Sequence, residues 1–341
     1  MGVDLADIVN QQPINLEDLR GKTLAVDAYN ALYQFLAIIR QPNGTPLMDK
    51  QGRVTSHLSG LLYRTTNIRE RGIRLSFIFD GKPPELKQFE IQRRRQTREE
   101  AIRRYQTAMQ EGKIEEARRY AQGTSQLKDV MVEDAKRLLR LLGISCIQAP
   151  SEGEAQASYM AVRGDVWAVA SQDHDSLLFG APRMVKNLAI TGRRKLPRRN
   201  AYVEVEPEFI ELAKVLQEIS ITREQLVDVG ILIGTDFNDG VKRIGAKTAV
   251  KLIRENGSLE QLLERNSEIK LQPNYQSIRD IFLRPKVTSD YNLSCSDPDE
   301  NEVVSFLCGE RDFSEARVRK VLSRINISKS NSTTTLESYF G

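Results

Sequence analysis

Four short apolar segments each run into acid at their carboxyl end, and this pattern limits what the chain can fold into. Residues 22–27 (KTLAVD) stop at Asp27, and residues 73–80 (IRLSFIFD) stop at Asp80. Residues 144–148 (ISCIQ) lead into Ser151-Glu152-Gly153-Glu154, and residues 166–170 (VWAVA) lead into Asp173-His174-Asp175. Short apolar runs alternating with helical periodicity predict parallel strands buried on both faces. The expected fold class is α/β, with a mainly parallel central sheet flanked by helices. In such a sheet the strand carboxyl ends line one edge, where ligands bind. Acids far apart in sequence then meet in one crevice, joined by Asp236 of the turn Gly234-Thr235-Asp236-Phe237.

Seven carboxylates in one crevice repel. Two like charges 4 Å apart cost about 1 kcal/mol in water and several times more at lower dielectric. The chain has only His57 and His174, and its cysteines, Cys146, Cys295 and Cys308, are far apart, so a soft metal site has few candidate ligands. Hard divalent cations such as magnesium or manganese suit an all-oxygen donor set. Two such ions can activate a water and stabilise a leaving oxygen in phosphodiester cleavage. Taken singly, each acid also fits a structural role. An Asp after a strand is a common helix N-cap, and Ser151-x-x-Glu154 matches a capping box. The conjunction at successive strand ends favours the metal centre. Setting these seven negative charges aside from a net charge of +4 leaves +11 on the rest of the chain. An acidic centre in a basic surround suits a polyanionic substrate. A P-loop is excluded, because Leu16 stands where a glycine would have to precede Gly21-Lys22-Thr23.

Residues 85–122 are rich in Arg, Lys, Glu and Gln and include Arg93-Arg94-Arg95. They predict long helices with little buried face, protruding from the body. Lys87 and Arg94 are seven residues apart and so share one helical face, from which cations could steady a phosphate. Tyr33, nearly two turns beyond Asp27, could stack on a base. Further helices are expected from about Ser56 to Arg71, Ser125 to Leu142, near Pro207, from Thr222 with its Thr-x-x-Gln capping box, and over 246–283 with a break at Asn256-Gly257. Residues 240–247 (GVKRIGAK), with Gly245 in a tight turn, predict a helix-hairpin-helix whose backbone amides can hold a phosphate. The last sixteen residues are rich in Ser, Thr and Asn, yet carry Leu336, Tyr339 and Phe340 at helical spacing, as anchors for a partner's groove. No apolar run approaches the length needed to cross a membrane, and no signal peptide is evident.

In order and spacing these motifs resemble the flap endonucleases of the structure-specific 5′-nuclease superfamily, in their archaeal form. The matching segments are Met1-Gly2-Val3-Asp4-Leu5, Val26-Asp27-Ala28, Phe79-Asp80-Gly81-Lys82-Pro83-Pro84, Ala149-Pro150-Ser151-Glu152-Gly153-Glu154-Ala155, Ser171-Gln172-Asp173-His174-Asp175 and Gly234-Thr235-Asp236-Phe237. The resemblance implies a magnesium-dependent endonuclease, with 5′–3′ exonuclease activity, that cuts 5′ flaps at DNA junctions in replication, including Okazaki fragment processing, and in repair. It implies two Mg2+, for which Mn2+ would substitute. Asp27, Asp80, Glu152 and Glu154 would serve one ion, and Asp173, Asp175 and Asp236 the other.

By the same resemblance residues 1–82 and 131–325 form the nuclease domain, 83–130 a helical arch, about 222–256 the helix-hairpin-helix, and 326–341 a flexible tail. Lys87 and Arg94 match catalytic phosphate-contacting cations. Gly2, Tyr33, Arg64, Arg93, Gly245 and Lys247 fall among the implied DNA contacts, as do Gly240, Val241 and Ile244, whose carbonyls would also hold a K+ ion. The loop from Gly52 to Arg64 would receive a one-nucleotide 3′ flap. The tail resembles a sliding-clamp (PCNA) binding box through Leu336, Tyr339 and Phe340, with Thr333 where that motif usually has Gln. No basic extension follows the box, so a cytoplasmic, archaeal-type location is expected, with no membrane partner. The alternative is a non-catalytic, clamp-recruited scaffold that binds DNA junctions. It leaves the acids unexplained, since an acidic cluster without metal repels DNA.

Overall fold

The computed structural model describes residues 2–41, 44–124, 126–188, 192–195, 202–272 and 274–325. Thr333, Leu336, Tyr339 and Phe340 lie outside the described residues.

Nine strands occur among these residues: β1 (Gln12–Pro13), β2 (Thr23–Asp27), β3 (Arg74–Phe79), β4 (Ser145–Gln148), β5 (Ala168–Ala170), β6 (Arg183–Lys186), β7 (Gly192–Lys195), β8 (Tyr202–Val205) and β9 (Glu208–Glu211). Seven form one sheet in the order β1-β9-β6-β5-β2-β3-β4, while β7 and β8 pair as a separate antiparallel ribbon. The four strands read from the sequence lie side by side and parallel. Val26 is opposite Phe77 on β3 and Ala170 on β5, and Phe77 is opposite Cys146 on β4. Leu24, Ala25, Ile78, Ala168 and Val169 are fully buried, as expected for strands covered on both faces. From β2 the chain proceeds to β3 and β4 on one side, and β5 and β6 lie on the other. The boundary between β2 and β5 is thus the switch point of the sheet, where a crevice opens beyond the strand carboxyl ends.

One expected helix begins later than its sequence suggests. The segment after Pro207 is β9, and the helix Leu212–Ile219 follows it. β9 pairs antiparallel with β6, Ile210 opposite Met184, and with β1, Phe209 opposite Gln12. Ile210 and Met184 are fully buried, so sheet pairing overrides the local helical pattern here. The Thr222 capping box forms as expected, with Thr222 and Gln225 exchanging side-chain and backbone bonds.

The basic segment forms a helix Gln88–Gln110 and a shorter one, Ile114–Gly123, which pack on each other. The shorter helix also touches the helix Ala28–Ile38. Only Glu90 and Ala108 of the long helix are buried. Arg95 pairs with Glu99 at 3.1 Å, and Arg104 pairs with Glu100, both four residues apart. Such exposed pairs contribute little individually.

Behind the site, Arg279 on the helix Tyr275–Leu283 reaches Asp228 on the helix Arg223–Ile233 at 2.5 Å and Glu260 at 2.6 Å. Asp228 is buried, and burial raises its carboxyl while Arg279 opposes that rise. Arg279→Ala would leave this carboxylate buried and unpaired. We expect a loss of about 3 kcal/mol in stability, read by urea denaturation. No helix of the described residues is long and apolar enough to cross a membrane.

Candidate active site

Each strand end delivers its acid through a different local device. Asp27 closes β2 and caps the helix Ala28–Ile38, accepting from the Asn30 backbone N–H at 3.0 Å. The cap reading of Asp27 therefore holds. Asp80 follows β3 and accepts from the Gly153 N–H at 2.7 Å. The two loops meet so closely that a Cβ at Gly153 would lie 2.7 Å from the Asp80 carboxylate.

Ser151 and Glu154 do not form the capping box that their spacing suggests. Ser151 Oγ donates to the Lys82 carbonyl at 3.2 Å. Glu154 instead accepts from Ser171 Oγ at 2.6 Å and from Ser176 Oγ at 3.0 Å. Asp173 accepts from Asn30 Nδ2 at 3.3 Å, and Asp175 accepts from the Val3 N–H at 2.7 Å. The Val3 bond seats the start of the chain against the site, and a Cβ on Gly2 would stand 2.5 Å from Asp175 Oδ1. His174, between the two aspartates, is held neutral. Burial, then Lys186, lower its imidazole to about 4.

Two cations of the basic segment enter this acidic edge. Lys87 Nζ pairs with Glu152 and lies 3.4 Å from Asp236 Oδ2. Arg94 Nη2 donates to both Asp236 oxygens, at 2.6 and 2.7 Å, while its Nε donates to Glu90 at 2.9 Å. Burial works to lower the Lys87 ammonium, but Glu152 and Asp236 outweigh it and hold it above the ordinary lysine value. Lys87, at the end of the 3-10 turn Glu85–Lys87, and Arg94, on the helix Gln88–Gln110, thus both point at the acids, although the helix expected to carry both begins only after Lys87.

The acids also act on one another. Burial, then Asp80 and Asp173, push the Asp27 carboxyl up to about 8. Burial, then Asp236 and Asp173, push Asp175 up to about 7. Glu154 is raised by burial, then by Asp175, Asp27 and Asp173, while Asp80 and Glu152 are raised chiefly by burial. Each of the seven sequence-predicted acids therefore acts electrostatically on at least one other. Among the described residues, however, no three His, Cys, Asp or Glu side chains are drawn together as a ready-made cation cage. The expected metal centre is a crevice of mutually repelling carboxylates bridged in part by Lys87 and Arg94. Fully ionised, seven acids against these two cations would leave a surplus of negative charge. An all-oxygen donor set with that surplus suits hard divalent cations.

Comparison with known proteins decides the family. The XPG N-terminal domain matches residues 1–101, and the XPG I-region matches residues 143–236. Flap endonuclease 1 of Pyrococcus furiosus is 52% identical over 100% of this chain and 99% of its own length. That of Methanothrix thermoacetophila is 55% identical over 99% of each. The chain belongs to the flap endonuclease family. The solved flap endonuclease-1 of Methanococcus jannaschii matches the fold with a TM-score of 0.76 and 42% identity, over 97% of this chain and 100% of that one. The chain shares the nuclease class of this family, hydrolysis of DNA phosphodiester bonds at defined structures.

Within this flap endonuclease, the expected DNA contacts divide by position. Gly2 lies at the acids. Arg93 pairs with Glu90 at 2.7 Å and Asp239 at 3.2 Å. Tyr33 and Arg64 are half-buried. In the hairpin, the glycine that the backbone requires is Gly240, at φ 68°, where a Cβ would run into the Ile233 carbonyl. Gly245 is not in a left-handed conformation. It is the N-cap of the helix Ala246–Asn256, with open space around its missing side chain and exposed Lys247 two residues on. The Val241 carbonyl accepts from the Ile244 N–H at 3.1 Å.

Sequence reasoning missed Asn30, Ser171 and Ser176. Each donates to a site carboxylate. For Asn30 the available signal was its position three residues after Asp27, on the same face of the same helix.

Proposed function

We propose that this flap endonuclease is a magnesium-dependent enzyme that cuts 5′ flaps at DNA junctions, with associated 5′–3′ exonuclease activity, in replication and repair. The observation that carries this reading is the entry of Lys87 and Arg94 into a crevice of seven carboxylates. Asp27, Asp80, Glu152 and Glu154 would hold one divalent cation, and Asp173, Asp175 and Asp236 a second, with Mn2+ able to substitute. When bound, the cations supply polarisation of a water and positive charge for the leaving oxygen.

The chain's own residues do the rest. Lys87 and Arg94 exchange their carboxylate partners for the scissile phosphate and stabilise the charge that builds on it. The helices Gln88–Gln110 and Ile114–Gly123 form the arch, within residues 83–130, and guide the unpaired 5′ strand. Residues 222–256 hold the duplex through Gly245, Lys247 and the amides at that helix start, and the carbonyls of Gly240, Val241 and Ile244 would hold a K+ ion. Gly2, Tyr33, Arg64 and Arg93 complete the DNA contacts. Residues 326–341 recruit a sliding clamp through Thr333, Leu336, Tyr339 and Phe340, and the enzyme works in the cytoplasm.

The test compares a double-flap substrate with a blunt duplex of the same sequence, in magnesium. Junction-specific cleavage of the flap at a rate at least about tenfold above the duplex is expected. Equal rates would make the chain a general exonuclease, and binding without cleavage would make it a scaffold.

A further inference from the structure

We propose that Asn30, oriented by Gln34, is a positioning residue that fixes the Asp27 and Asp173 carboxylates relative to each other across the switch point of the sheet. The inference rests on the cation-centre reading above. Asp27 ends β2, and Asp173 follows β5, its immediate parallel neighbour. Asn30 touches both. Its backbone N–H donates to Asp27 Oδ1 at 3.0 Å, and its side-chain Nδ2 donates to Asp173 Oδ2 at 3.3 Å.

The third bond of Asn30 fixes the other two. Its Oδ1 accepts from Gln34 Nε2 at 2.6 Å. With its NH2 given to the Asp173 oxygen, Asn30 turns its own oxygen to Gln34. Gln34 must then present its own NH2. This turns Gln34 Oε1 into a buried position with no hydrogen-bond partner. A buried acceptor without a partner is unfavourable and needs an explanation. Flipping Gln34 would set two amide oxygens against each other and release the Asn30 amide to turn away from Asp173. The observed arrangement therefore sacrifices one acceptor on Gln34 to keep the Asn30 donor aimed at a site carboxylate.

A neutral donor suits this place. Asp27 and Asp173 repel each other, as the rise of the Asp27 carboxyl through Asp173 shows. A lysine or arginine between them would compensate their charge. An amide holds them in place and leaves that charge for cations, as outer partners of metal ligands do elsewhere.

The test uses the full chain with Asn30→Ala and, separately, Gln34→Leu. Alanine at 30 keeps the backbone N–H on Asp27, so the helix cap survives and only the tie to Asp173 is lost. Mn2+ binding is measured by calorimetry on protein without DNA, beside kcat and KM on a 5′-flap substrate. Asn30→Ala is expected to lower Mn2+ affinity and kcat each about 10–100-fold with KM unchanged. Gln34→Leu should move both in the same direction by less. It touches neither carboxylate, so it carries the test if Asn30→Ala does not fold. Wild-type Mn2+ affinity in either folded variant, whatever its kcat, overturns the positioning role while leaving the cation centre standing. A wild type that takes up no Mn2+ overturns the cation centre itself, and this inference with it.

Discussion

Asp175→Ala is expected to abolish cleavage of a 5′ flap, with turnover falling by more than about 100-fold, because even outer partners of metal ligands cost 10–100-fold. Asp175 is buried, faces Asp173 and Asp236, and has its carboxyl raised to about 7 by burial and those neighbours. Alanine removes one of the three oxygen donors assigned to the second cation. DNA affinity, measured by fluorescence anisotropy in calcium, should stay within a few-fold, because the loss of a negative charge does not weaken attraction to a polyanion. The Val3 N–H loses its acceptor in this variant. Asp175→Asn keeps an acceptor there and should be as inactive. Turnover retained by both variants would remove Asp175 from the site.

Lys87→Ala is expected to slow cleavage about 10²–10³-fold, the cost of deleting one donor that meets developing charge. Lys87 is mostly buried between Glu152 and Asp236 and is held firmly protonated by them. Its charge is thus in place before substrate arrives. Flap binding should change little, since one phosphate contact among many is lost. A single-turnover rate separates the two effects. A fall in affinity with an unchanged rate would make Lys87 a binding residue only.

The strand ends were legible because short apolar runs alternate with helical periodicity and each is followed by acid. The seven-residue spacing of Lys87 and Arg94 reads as one helical face; both side chains meet Asp236, but Lys87 does so from the 3-10 turn before the helix. The segment after Pro207 was misread. Its strand exists only because β6 and β1 offer edges on either side, a long-range pairing that local periodicity does not carry. Glu154 shows the same limit in the site. Its spacing from Ser151 reads as a cap, yet the fold brings Ser171 and Ser176 to it from another strand end. Gly245 drew attention as the turn glycine, but the left-handed backbone falls at Gly240, where Ile233 crowds the chain. The spacing of Asn30 from Asp27 is local and legible, but its bond to Asp173 depends on the placement of the neighbouring strand, which local spacing does not carry.

The proposed cleavage depends on divalent cations held by the seven carboxylates. Single-turnover cleavage of a 5′-flap substrate by the wild-type chain, in magnesium and in excess EDTA, tests it most directly. Cleavage at the junction is expected in magnesium and none in EDTA, with activity restored when magnesium is returned. Cleavage that proceeds equally in EDTA would contradict that dependence.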